Sequence, residues 1–197
     1  MRLATFHDGQ EKLGILAEDE IIDLSVDEAI AAIDMIAALE AGQDFLDRAK
    51  IVAEDAPKIA LSSVRLMAPV PRPRKILAVG LNYLDHVKEA EEAGIKIPSV
   101  PLVFNKQVTS VAGPFDDVHL PKVSSQLDYE AEFAIVIGKR CRHVKKENAA
   151  DVVAGFVTLN DVSVRDWQLA AQTFTVGKSF DTHCPFGPAI VTIDETG

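Results

Sequence analysis

The chain has 197 residues and a formal net charge of −10, and its 48% hydrophobic and 25% charged content are those of an ordinary folded protein, well away from the disordered corner of low hydrophobicity and high charge. An acidic balance repels phosphate backbones and anionic lipid, so neither nucleic acid nor a membrane is an expected partner. No apolar run has the length of a membrane span, and Cys141 and Cys184 stand in no metal-ligand spacing, so a cytoplasmic protein is expected.

The acid excess is local. Residues 1–57 hold 14 acidic and 4 basic side chains, while the remainder is balanced at 16 of each. In chain order, short strands are expected at 2–6, 12–17 and 20–23 around a turn at Asp8-Gly9. Ser25 followed by Glu28 reads as a capping box for a helix over 26–40, and a second helix is expected over 43–54. Pro69, Pro71 and Pro73 then interrupt both helix and strand patterns. The expected domain boundary lies there: a small N-terminal domain at 1–68, a Pro-rich linker at 69–74 and a larger domain at 75–197. The Pro-Arg stretch reads either as a stiff connector or as a polyproline ligand.

From Lys75 onward the texture is strand-rich, with strands expected at 75–80, 102–104, 118–120, 129–138, 153–159 and 189–193. Along Leu127-Asp-Tyr-Glu-Ala-Glu132, strand alternation puts Tyr129, Ala131, Phe133, Ile135 and Ile137 on one apolar face. Asp128, Glu130 and Glu132 share the other. Glutamates two residues apart on a strand lie about 7 Å from each other. They call for a positive partner, either a hard divalent cation such as Mg²⁺ or Mn²⁺, or Lys and Arg at a solvated strand end. The strand at 153–159 ends in Asn160-Asp161, which places Asp161 as a third oxygen ligand. Asp166-Trp-Gln168 is expected to open a helix capped by Ser163.

His86 and Glu89 meet at i,i+3 on a helix that Gly94 stops, either as a general-base pair or as an ordinary surface contact. Gly177 allows a backbone turn beside Lys178, the lone cation of an otherwise uncharged stretch, which is an anion anchor or simply exposed.

In this order, five blocks resemble the fumarylacetoacetate hydrolase family. They are Lys75-Ile-Leu-Ala-Val-Gly-Leu-Asn-Tyr83 with His86, Val103-Phe104-Asn-Lys106 leading to Gly113-Pro114, Asp128-Tyr-Glu-Ala-Glu132 with Gly138-Lys139, Asn160-Asp161 through Arg165 to Gln168, and Gly177-Lys-Ser-Phe-Asp-Thr182 before Cys184-Pro185. The resemblance covers about 65–193, and residues 1–65 carry no diagnostic motif.

The resemblance implies an α+β, mainly β fold: a mixed β-roll behind a small α+β N-terminal domain. It implies that Glu130, Glu132 and Asp161 ligate Mg²⁺ or Mn²⁺, that His86 with Glu89 is a catalytic dyad, and that Lys178 faces the substrate's carboxylate or oxyanion. Arg165 and Gln168 match positions near the substrate. The implied activity is metal-dependent hydrolysis of a carbon–carbon bond in a 2,4-dioxo acid by a homodimer. An oxaloacetate-type decarboxylase or a 2-hydroxy-diene-dioate isomerase on the same site is the alternative for a small 2-oxo acid, and a non-catalytic metal- or metabolite-binding module is the alternative of another class. Family members continue past 189–193 into a Gly-Thr-Pro-x-Gly segment, so 197 residues are expected to be short at the C-terminus.

Overall fold

A computed structural model describes residues 1–92, 94 and 97–196, apart from the side chains of His86, Glu89 and Ala90. The chain begins with strands β1 (Arg2–His7), β2 (Glu11–Ala17) and β3 (Glu20–Asp23), as expected. Three helices follow, α1 (Glu28–Ala31), α2 (Met35–Ala41) and α3 (Gln43–Asp55). The single helix expected over 26–40 is two, because aspartates intercept free backbone N–H groups at two points. The Asp27 carboxylate accepts from Ala29 and Ile30, and Asp34 accepts from Ala37, each satisfying donors that a helix start leaves open. Ser25 caps no helix here; its hydroxyl and amide both donate to Asp23.

After β4 (Lys58–Ala60) and β5 (Arg65–Leu66), the chain forms the β6 (Ile76–Gly80) and β7 (Leu102–Lys106) hairpin around helix α4 (Leu84–Glu92). Then come β8 (Val111–Ala112), β9 (Leu127–Asp128), β10 (Ala131–Ile137), β11 (Val153–Asn160), β12 (Ser163–Val164), helix α5 (Arg165–Ala170) and β13 (Cys184–Thr192). No strand forms at 118–120, and the strand expected over 129–138 is broken at 129–130.

One antiparallel path, β10-β11-β13-β1-β2-β3-β4, makes the main sheet. Its central joint pairs Arg2 with Val191 and Leu3 with Ile190, so the sheet runs straight across the boundary expected at 69–74. The core does the same, joining Leu3, Ile30, Met35 and Phe45 to Val157, Phe186 and Ile190 in one cluster. Strand β1 is buried on both faces, with Leu3 in that cluster and Ala4 and Phe6 in a second one on the opposite side, as the period-two pleat requires.

The alternation expected in β10 is present, and the face that turns inward is the one that Glu132 shares. Ala134 and Val136, on the Glu132 side, pack on the core, whereas Phe133, Ile135 and Ile137 are exposed.

Gly155 in β11 shows how tightly β11 and β13 meet, since a Cβ there would stand 2.2 Å from the Val191 carbonyl oxygen. Backbone cannot yield as a side chain does, so Gly155→Ala is expected to cost about 2–4 kcal/mol by the overpacking mechanism. A urea midpoint within error of the parent's would refute this account of the β11–β13 joint.

Candidate active site

The candidate site forms where the β10–β11 ladder stops. Its last pair is Ala131 with Asn160, and beyond it the strands separate and resume as the short β9–β12 pair, Asp128 opposite Ser163. In the gap, the Asp161 amide donates to the Glu130 carbonyl and the Glu130 amide to the Asn160 side chain. This backbone break brings Glu130 and Asp161 together, although 31 positions separate them in the numbering.

Lys178 enters from the loop between α5 and β13. Its side chain is 2% exposed, and its ammonium donates to Glu130 at 2.6 Å and to Asp161 at 2.9 Å. The other Asp161 oxygen accepts from Lys106 at 2.5 Å, and both partners of that pair are buried. Lys106 spends its remaining donors on the carbonyls of Val162 and Lys178. Arg165, at the start of α5, donates to Asp128 through Nε and Nη2, and through Nη1 to Glu130 and Gln168. Its guanidinium braces these carboxylates and Gln168. Gln168 is buried and held by the same guanidinium.

Four carboxylates, Asp128, Glu130, Glu132 and Asp161, thus meet three cations. Glu132 is the one without an ion-pair partner among the described residues; its oxygen accepts from the Tyr83 hydroxyl at 3.0 Å. Burial, and then the charges of Glu130 and Asp161, hold the Glu132 carboxyl above the ordinary range despite the Tyr83 hydrogen bond. Burial also works to raise Glu130, but the hydrogen bonds and charges of Lys178 and Arg165 outweigh it and hold that carboxyl low. For Lys106, burial outweighs Asp161 and pulls the ammonium down.

Among the described residues, no three His, Cys, Asp or Glu side chains already converge as a metal cage. The donor set nevertheless fits a hard dication in kind, being entirely carboxylate oxygen. Glu132 feels the charges of both Glu130 and Asp161, so the three share one field with an excess of negative charge. Lys178 stands between two of them.

Of the expected residues, the structure joins Glu130, Asp161, Lys178, Arg165 and Gln168 into one network and puts Glu132 beside it. Positions 86 and 89 fall one turn apart on α4, but the side chains of His86 and Glu89 lie outside the described residues. Ser163 was expected to cap α5; instead its hydroxyl donates to the Asp161 carbonyl. Gly177 serves close approach and not a left-handed turn, since a Cβ there would fall 2.3 Å from the Gln168 amide nitrogen.

Lys106 was quoted only as part of a motif. Its signal was strand periodicity: Leu102, Phe104 and Lys106 share the less exposed face of β7, which aims a lysine inward.

The family model described as "Fumarylacetoacetate (FAA) hydrolase C-terminal" matches residues 75–197. The chain belongs to the fumarylacetoacetate hydrolase family. The match starts immediately after the Pro-rich stretch, although the sheet and core cross it.

A rat relative, "Oxaloacetate tautomerase Fahd2a, mitochondrial", is 41% identical over 176 residues, covering 88% of this chain and 55% of the relative. The chain therefore spans little more than half the length of that relative. Among solved structures, a fumarylacetoacetate hydrolase from Exiguobacterium antarcticum matches with a TM-score of 0.81 and 35% identity, over 100% of this chain and 68% of its own. A maleylpyruvate hydrolase from Sphingobium sp. SYK-6, solved with manganese(II) and pyruvate, matches with a TM-score of 0.79 and 34% identity, over 98% of this chain and 68% of its own.

These likenesses bear out the family and the α+β fold. The tautomerase name of the rat relative fits the isomerase alternative better than the expected carbon–carbon hydrolysis, and its mitochondrial name speaks against the expected cytoplasmic location. Among the described residues, no helix is long and apolar enough to cross a membrane.

Proposed function

We propose that this chain carries the enolate-stabilising site of an enzyme that interconverts the keto and enol forms of a small 2-oxo acid. The observation that carries the reading is the buried Lys178 ammonium at the focus of Glu130 and Asp161. An ammonium so placed is aimed where a 2-oxo group gains negative charge as it becomes an enolate. The rat relative's name supports the reading.

Glu130, Glu132 and Asp161 would hold Mg²⁺ or Mn²⁺, which supplies Lewis acidity toward a 2-oxo group. Lys178 donates a hydrogen bond to the 2-oxo oxygen as charge builds there. Arg165 keeps Glu130 and Asp128 ionised and in place. His86 is assigned as the base that accepts the proton from C3; the C–H electron pair becomes the C2–C3 double bond, the C2–O π pair moves onto the oxygen, and that oxygen takes a proton from the Lys178 ammonium, which solvent restores as His86 gives up its own. Water attack on a distal ketone would need the same dyad to activate water as well, so tautomerisation asks less of the site than hydrolysis does.

The test follows the ultraviolet absorbance of enol-oxaloacetate as it relaxes to the keto form. Magnesium-dependent acceleration is expected, abolished by EDTA and lowered about a hundredfold or more in Glu130→Gln. Cleavage of an acylpyruvate without that acceleration would restore the hydrolase reading. Mn²⁺ binding with turnover of neither substrate would favour the non-catalytic module.

A further inference from the structure

Beside the carboxylate network lies a cavity of about 150 Å³, lined by residues 102–105 of β7 and residues 172–175 of the following loop. Phe104 connects the two places. Its ring centroid is 5.3 Å from the Lys178 ammonium, and the same ring helps to line the cavity, meeting Phe174 edge to face at 5.6 Å. Phe104 thus borders both the Lys178 ammonium and this space.

The chemistry of the lining is specific. Among the described lining residues none carries a charge; they offer the rings of Phe104 and Phe174, the amides of Asn105 and Gln172, and the hydroxyls of Thr173 and Thr175. The Thr175 hydroxyl donates to Asn105 Oδ1 at 3.1 Å, which leaves the Asn105 amide donors for another acceptor. A carboxylate entering here would gain no counter-ion from the lining. A ring, by contrast, would find the two aromatic side chains Phe104 and Phe174 to pack against.

We propose that this cavity receives the end of the substrate remote from its carboxylate, and that this end is uncharged and about the size of a phenyl ring. Substrates of the class R–CH₂–CO–COO⁻ with a neutral R, aromatic or bearing one hydrogen-bonding group, are then preferred to dicarboxylates. The inference rests on the 2-oxo acid reading above and adds the selectivity that reading leaves open.

The experiment compares enolisation of phenylpyruvate and of oxaloacetate by the magnesium-loaded protein, in the parent and in Gln172→Lys. Gln172 is exposed, so the substitution leaves the core alone while placing a cation at the cavity. The parent is expected to show the higher kcat/KM for phenylpyruvate. Gln172→Lys is expected to shift the ratio toward oxaloacetate by on the order of tenfold.

A parent that prefers oxaloacetate, or a Gln172→Lys ratio equal to the parent's, overturns the proposal. If neither compound is turned over, the enolisation reading fails by itself. Amide NMR shifts on adding phenylpyruvate then judge the cavity: changes centred on Phe104 and on 173–175 sustain it, and none there removes it.

Discussion

Lys178→Met is expected to tighten Mn²⁺ binding by about tenfold, roughly 1.4 kcal/mol, while enolisation falls about a hundredfold or more. The two effects point in opposite directions for one reason. The Lys178 ammonium neutralises Glu130 and Asp161 at 2.6 and 2.9 Å. A dication bound by those carboxylates must compete with that resident positive charge and then coexist with it nearby. Met keeps the alkyl stem beside Phe104 but removes the competitor, so the carboxylates are left to the metal. The same change removes the donor proposed above for the 2-oxo oxygen, so affinity for the ion and turnover are expected to part company. An Mn²⁺ titration followed by electron paramagnetic resonance reads the first effect without reference to turnover. Weaker Mn²⁺ binding in Lys178→Met, with the circular dichroism spectrum unchanged, would mean that the lysine organises the carboxylates instead of competing for them.

How much of this was legible in the chain depends on the range of the interaction that decides each feature. Strands β1 to β3 follow from alternation and a nearby turn, which is local; the spacing of Glu130 and Glu132 rested on one continuous strand, and the chain breaks it at 129–130. The split of the first helix was local too, but two signals competed: Asp27 and Asp34 cap later starts by accepting from Ala29, Ile30 and Ala37, while Ser25 turns its hydroxyl to Asp23. The β1–β13 joint was not visible, because Leu3 and Ile190 meet through sheet topology that the proline pattern at 69–74 does not report. For β10, alternation shows that two faces exist but not which one turns inward. That choice was made by the packing of Ala134 and Val136 on the common core. Asp161 was readable as a polar residue at a strand end. The clamp that holds it was not, since Lys106 and Lys178 come from two distant segments and converge only in the fold.

That clamp sets the second large effect. Lys106 has no exposed side-chain surface, and its three donors meet three acceptors: one Asp161 oxygen and the carbonyls of Val162 and Lys178. Lys106→Met keeps the chain length and removes all three bonds at once, leaving Asp161, 3% exposed on its side chain, with half of its counter-charge. Breaking a buried ion pair from one side costs about 3–5 kcal/mol, because the surviving charge stays desolvated. Urea unfolding should show a loss of that order, a large fraction of the stability of an ordinary domain. The paired change Lys106→Met with Asp161→Leu removes both buried charges and should recover part of the loss, since apolar groups of similar volume replace an ion pair at little net cost. The double variant should still bind Mn²⁺ poorly, having lost one of the carboxylates proposed to hold it. Recovery of stability without recovery of Mn²⁺ binding is therefore the signature of a lysine retained for the site and not for the fold. A double variant no more stable than Lys106→Met alone would locate the cost in the orphaned Val162 and Lys178 carbonyls, which the aspartate change does not touch.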